Sequence, residues 1–385
     1  MAGRVRRGFG HVRAPDPSCP DVTRLGWYAA TNRVAPPPYR RSVQPRAFCS
    51  QSTVVIVAGK GGVGKTTVAA TVALMAARAG RRALVVDVEG TAALPALFGR
   101  DAPLGYEPVT LEAASDGSGP VIGRTLTPDD ALAEYLDDHG LRRVSKRMTA
   151  TGTLELVATA IPGIKDILVL GKVKQLEQVA PSQGTDLIVV DAPAAGHAVG
   201  FLATARGLLD AIGVGPIRAQ SADVLDLLTD PRRCQVLLVT LPEETPVNEV
   251  VETAFLLEDR VGVKLGPVVV NGMIPVLDLP DDVAGAAAEA GVALDPAARG
   301  ALSAAARFRR HRQELQARQV GRLAAALPLP QLHLPFLWTT ELGRPELGIL
   351  ADALAGAVAE LPDAGRPEPP VTGTPEPPGD AGPPA

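Results

Sequence analysis

Eight residues, Gly59-Lys60-Gly61-Gly62-Val63-Gly64-Lys65-Thr66, set glycines, lysines and a hydroxyl at the spacing GxxxxGK[ST]. That spacing suits a loop whose backbone N–H groups converge on phosphate oxygens. Glycine allows the dihedrals such a loop needs and keeps Cβ atoms out of the way. The helix that follows would offer free N–H groups and a positive dipole end to the anion. In that arrangement Lys65 reaches the β- and γ-phosphates of ATP, and the Thr66 hydroxyl ligates Mg2+. In a chain of this composition chance alone supplies about 0.006 matches to the motif, which sets aside a glycine turn without a ligand. Lys60 is a second lysine in the same loop. It is either a solvated loop charge or a cation that reaches a phosphate, in its own subunit or across a dimer interface.

Three carboxylates complete the candidate constellation. Asp191 closes the apolar run 186–190, where it can hold Mg2+ through water, although aspartate is also a common helix N-cap. Asp87 and Glu89 stand at the end of the apolar run 83–88. Both would lie beside the phosphate loop.

The flanking segments place these groups on a sheet. Residues 53–58 form a short β-branched run that turns into glycine. Residues 65–79 carry Val68, Val72 and Met75 at helical spacing and stop at Gly80. Further strand-like runs occupy 83–88, 186–190, 235–240 and 267–270. Continuous apolar strands are buried on both faces, as in a parallel sheet covered by helices. The expected fold is α/β, a doubly wound and mainly parallel sheet with helices on both faces, of P-loop NTPase type. Residues 127–180 lack such runs and read as a helical insert.

The 385 residues are 46% hydrophobic and 3% aromatic, so the core must rest on Ala, Val and Leu. The net charge of −4 gives no general pull toward nucleic acid or anionic lipid. Residues 1–51 carry many arginines and no apolar period, which reads as a disordered basic extension or, alternatively, a transit peptide. Residues 52–361 form the expected ATPase domain. Residues 362–385 are rich in Pro and Gly and read as a disordered tail. The three cysteines, Cys19, Cys49 and Cys234, form no CxxC pair, which fits a reducing, cytoplasmic location.

Beyond chemistry, the stretch GKGGVGKTT at 59–67 resembles the deviant phosphate loop of the ParA, MinD and ArsA class of ATPases. Within that class it is most similar to the ArsA family, which includes arsenite-pump ATPases and the ATPase that targets tail-anchored membrane proteins. Asp191-Ala192-Pro193-Ala194-Ala195-Gly196-His197 resembles the family's DTAPTGH motif, and Pro162-Gly163-Ile164-Lys165-Asp166 its PGIDE segment. Val268-Val269-Val270-Asn271 resembles the strand that ends in an adenine-contacting Asn. Leu334-Pro335-Phe336-Leu337, followed by Glu341-Leu342-Gly343, resembles the late adenine loop. Val86-Asp87-Val88-Glu89-Gly90 and the DAP form of the second motif look most like the actinobacterial branch.

The resemblance implies an ATPase that works as a homodimer, or as a heterodimer with a paralogous chain, with Lys60 crossing the interface. It implies phosphate contacts from Gly59, Gly61, Gly62, Val63, Gly64, Lys65, Thr66 and Thr67, and adenine contacts at Asn271 and Pro335. It places Glu89 where the family has a water-orienting aspartate, with Asp87 as the alternative carboxylate, acting through Mg2+ waters. His197 would sense the γ-phosphate or satisfy a loop carbonyl. Arsenite would need clustered thiolates, and only Cys234 lies in the expected folded region. A membrane-protein or apolar-helix client would need a groove in the insert, whose leucines and valines serve equally well as core. A nucleic-acid partner would need a basic surface, and Arg307, Arg309, Arg310, His311 and Arg312 share a helical stretch with Glu314. No nucleic acid and no direct membrane insertion are expected.

Overall fold

The computed structural model describes residues 43–138, 163–193 and 195–362. In chain order the elements are α1 (Pro45–Phe48), β1 (Val54–Gly59), α2 (Lys65–Arg78), β2 (Ala83–Asp87), α3 (Ala93–Leu97), β3 (Val109–Glu112) and β4 (Val121–Thr125). Next come α4 (Pro128–Asp138), α5 (Ile164–Gln183), β5 (Leu187–Asp191), α6 (Ala195–Ala211), α7 (Pro216–Thr229), β6 (Cys234–Thr240) and α8 (Glu244–Arg260). The last are β7 (Val268–Met273), α9 (Val283–Glu289), α10 (Pro296–Ala326), β8 (Gln331–Pro335) and α11 (Arg344–Ala359).

The strands form one 8-stranded sheet in the order β3-β4-β2-β5-β1-β6-β7-β8. Every neighbouring pair is parallel except β3 with β4. β1, β2, β5 and β6 are buried at every position, as their unbroken apolar runs require. Alternate side chains feed two separate cores. Ile56, Val86, Val190 and Leu238 pack under α4–α8 on one face. Val57, Val85, Val189 and Val239 pack under α1, α2, α3 and α11 on the other.

Three strands escape the apolar-run reading, each for a physical reason. β8 reads Gln-Leu-His-Leu-Pro and buries only Leu332 and Leu334 fully, as an edge strand with one covered face does. β4 is broken up by Gly123 and Arg124, and its glycine leaves room for Leu111, whose Cδ1 would lie 2.5 Å from a Cβ placed there. β3 is the opposite edge, short and half-exposed.

The folded domain also begins earlier than residue 52. α1 buries Phe48 and Cys49 in the core shared with α2 and α11. Both described cysteines, Cys49 and Cys234, therefore lie in the folded region, in place of the single one expected. Burial pushes both thiols up to about 12, the opposite of what a soft thiolate ligand requires.

Within the expected insert, α4 and the N-terminal part of α5 are helical, while residues 139–162 lie outside the described residues. Ile164, Ile167 and Leu168 are core side chains. Among the described residues, no helix is long and apolar enough to cross a membrane.

Candidate functional site

The site forms at the C-terminal edge of the sheet, where β1 gives way to the glycine loop and α2. Three strand ends lie side by side there: Val57 pairs with Asp191, and Asp191 pairs with Asp87. The fold also brings Thr66 onto Asp191, 125 residues further along the chain.

Three of the four loop glycines have a geometric reason. A Cβ on Gly59 would sit 2.5 Å from the Val239 carbonyl oxygen of β6. Gly62 and Gly64 adopt left-handed φ values of 82° and 89°. Gly64 is the N-cap of α2, so its backbone turns the loop into the helix. Val63 is buried, which pins the middle of the loop. Lys65 Nζ donates to the Lys60 carbonyl at 3.5 Å, a weak contact that a phosphate oxygen would outcompete. Thr67 lies one residue further into the helix, and its carbonyl accepts from Thr71 Oγ1 at 2.7 Å.

Two buried carboxylates face one another across β2 and β5. Thr66 Oγ1 donates to Asp191 Oδ2 at 2.6 Å, while Asp191 Oδ1 is buried without a protein partner. Asp87 Oδ1 accepts from the backbone N–H groups of Glu89 and Gly90 at 3.0 and 2.9 Å, while its Oδ2 is likewise buried and unpaired. Burial pushes the Asp191 carboxyl up to about 7, and the negative charge of Asp87 adds to the rise against the Thr66 hydrogen bond and Lys65. Asp87 is raised as well, by burial against backbone hydrogen bonds from Gly90, Glu89 and Thr91. Two orphaned carboxylate oxygens beside a hydroxyl are an oxygen-only donor set, which fits Mg2+ that keeps waters of its own. Among the described residues no group of three or more His, Cys, Asp or Glu could hold a metal by themselves. The cation would therefore depend on substrate phosphates and water as well.

Asp87 and Glu89 have different surroundings. Asp87 is buried and caps the turn, whereas Glu89 sits on that turn and is exposed. Asn271 leaves β7 and donates through Nδ2 to the Val63 carbonyl at 2.9 Å, while its Oδ1 accepts from Gly272 N–H. The side chain implied for adenine is thus also a brace for the phosphate loop. Pro335 ends β8 opposite Met273, and Phe336 N–H bonds to the Met273 carbonyl. Beyond it, the exposed rings of Phe336 and Trp338 meet edge to face at 4.9 Å. His197 lies in α6, and its side chain is outside the described residues.

Lys60 is exposed but has a partner on its own chain. Its Nζ lies 3.2 Å from Glu249 Oε1 on α8 of the same chain. Sequence reasoning missed Glu249, since nothing in its surroundings marks it. It also missed a polar cluster at the root of the insert. The Arg124 guanidinium stacks over the Tyr106 ring at 4.4 Å, Tyr106 donates to Glu134, and Lys172 of α5 donates to the same carboxylate. Burial alone would raise Glu134, but the hydrogen bonds from Lys172 and Tyr106 outweigh it and hold the carboxyl below its ordinary value.

A parallel sheet with a glycine loop after its first strand, a lysine and threonine opening the next helix, and an aspartate on the adjacent strand end define a P-loop nucleotide-binding protein. A sequence profile for anion-transporting ATPases, the ArsA type, matches residues 52–213. The ATPase BagA of Mycobacterium tuberculosis is 34% identical over 297 residues, covering 73% of this chain and 86% of that protein. The arsenical pump-driving ATPase of Escherichia coli is 25% identical over 255 residues, covering 60% and 41% respectively. ATPase ASNA1 homolog 1 of Paramecium tetraurelia is 26% identical over 148 residues, covering 38% and 42%. The chain belongs to the ArsA-type ATPase family.

Proposed function

We propose that the chain binds Mg·ATP at Gly59–Thr67, hydrolyses it, and uses nucleotide-dependent pairing to drive a transport, targeting or partner-binding step. The observation that carries this is the union of the braced glycine loop with Thr66, Asp191 and Asp87, whose two buried carboxylate oxygens have no protein partner. Thr66 and Asp191 would hold the metal, with Asp87 contacting its waters. When bound, Mg2+ neutralises charge on the β- and γ-phosphates.

The chain's own residues supply the rest. The loop N–H groups and Lys65 orient the phosphates, and Lys60 supplies a further cation, to a second protomer's nucleotide in the paired state. Glu89 stands on the turn that Asp87 caps, at the position for orienting the attacking water. Positioning dominates phosphoryl transfer, and a glutamate extends its carboxylate by about 1.5 Å relative to aspartate, so turnover is slow. The exposure of Glu89 beside the buried Asp87 favours a second reading, a binding switch with little turnover. The pair is a homodimer or a heterodimer with a paralogous ATPase. A membrane-protein or apolar-helix client would be read by the insert.

ATPase turnover of the purified full chain, beside Lys65→Ala and Glu89→Asp, tests the enzyme reading. Turnover that Lys65→Ala abolishes supports it. Wild-type protein that pairs with nucleotide but never turns over establishes the binding switch instead.

A further inference from the structure

We infer that Glu249 is a positioning residue for Lys60, one that holds its ammonium on its own chain and so sets how readily it is given to a second protomer's phosphates. This rests on the paired-ATPase reading above. It adds a residue that neither the phosphate-loop motif nor the adjoining carboxylates include.

The argument begins with where the two groups are anchored. Lys60 follows Gly59, whose backbone is pressed against Val239 of β6. Glu249 lies on α8, the helix that follows β6. Val247, Val250, Ala254 and Leu257 of α8 are buried in the core, so the helix presents Glu249 from a fixed position. The two side chains meet with Nζ 3.2 Å from Oε1 and retain 46% and 28% exposure. Meanwhile the Lys60 carbonyl accepts from Lys65 Nζ. The loop's two lysines therefore diverge, Lys65 along the loop and Lys60 outward to α8.

An ammonium compensated by a nearby carboxylate has little net attraction left for a distant phosphate. Partial exposure keeps the pair weak, because exposed ion pairs shift equilibria by only about two- to fivefold. A polyphosphate carries several negative charges and displaces one carboxylate. Glu249 therefore restrains Lys60 without locking it, and the restraint falls on pairing rather than on nucleotide binding within one protomer.

The test is sedimentation of the full chain over a range of concentrations, with Mg2+ and a non-hydrolysable ATP analogue. Glu249→Gln keeps the shape and removes the charge. It is expected to lower the pairing dissociation constant about two- to fivefold at low salt. The gain should shrink in 0.5 M salt, where the Debye length is about 4 Å. Analogue affinity of the unpaired chain and melting temperature should stay unchanged, which a merely structural role would not allow. Glu249→Asp should restore part of the restraint. In a Lys60→Gln background, Glu249→Gln should have no effect on pairing.

Pairing that is unchanged or weakened by Glu249→Gln overturns the inference. So does an equal gain in the Lys60→Gln background. If Lys60→Gln alone leaves pairing and turnover intact, the underlying reading of Lys60 as a cation acting across the interface fails, and that result is separable from the other two.

Discussion

Replacing Asn271 with alanine distinguishes two jobs that one side chain can perform. In the structure its amide braces the phosphate loop, donating to the Val63 carbonyl and accepting from Gly272 N–H, both at 2.9 Å. Only the bond to Val63 reaches the loop, and it contributes about 1 kcal/mol net, so removing it loosens the loop by about that much. A loosened loop must be ordered by its ligand, and affinity then falls by roughly fivefold. The loss is felt at the phosphates and does not depend on the base. Calorimetric titration of wild type and Asn271→Ala with Mg·ATP and with magnesium triphosphate measures this directly. Equal fold losses for the two ligands support the brace. A loss confined to Mg·ATP, with triphosphate affinity unchanged, refutes it and makes Asn271 a base contact alone.

Other outcomes follow from the same geometry. Asp191 has a carboxyl raised by burial to about 7, above its unfolded value of 3.8, so its contribution to stability is complete at low pH and lost as pH rises toward 7. Asp191→Asn should therefore raise the melting temperature of the nucleotide-free chain at pH 8 by the equivalent of about 1–3 kcal/mol, with little change near pH 4, while Mg2+-dependent nucleotide binding is lost. Mg·ATP binding near pH 6.5 should release a large fraction of a proton from wild type, measured by calorimetry in buffers of different ionisation enthalpy, and little from Asp191→Asn. Gly64→Ala places a Cβ 2.4 Å from Asn271 Nδ2 at a left-handed φ, and should weaken nucleotide binding at least tenfold in direct titration. Phe48→Ala should cost about 3–5 kcal/mol in chemical denaturation, if α1 is the core element its burial indicates.

The sequence exposes those parts of the fold whose physics is local. β1, β2, β5, β6 and β7 read as apolar runs because both of their faces are covered, and the glycine loop reads as a motif because phosphate fixes its spacing. β3, β4 and β8 stay hidden because edge position, or in β4 a glycine and an arginine, breaks the run. The site follows the same division. Lys65, Thr66 and Asp191 are legible from type and neighbourhood. The Lys60–Glu249 pair spans much of the chain, and the Asn271–Val63 brace spans 208 residues, so neither leaves a local trace. The inward-facing insert residues Ile164, Ile167 and Leu168 could have served core or client from pattern alone, and packing decides for core.

The two faces of the sheet differ in mechanical character. α2 is buried nearly all round, with alanines at 69, 70, 73, 76 and 77 lodged between the sheet and α11. Close packing on both sides holds α2 like an anvil under Lys65 and Thr66. Under the nucleotide switch proposed above, movement would then pass to the opposite face, through the turn after Asp87 and the strand end at Asp191, toward α4 and α5. The tightly packed half of the domain would in that case give the response its direction.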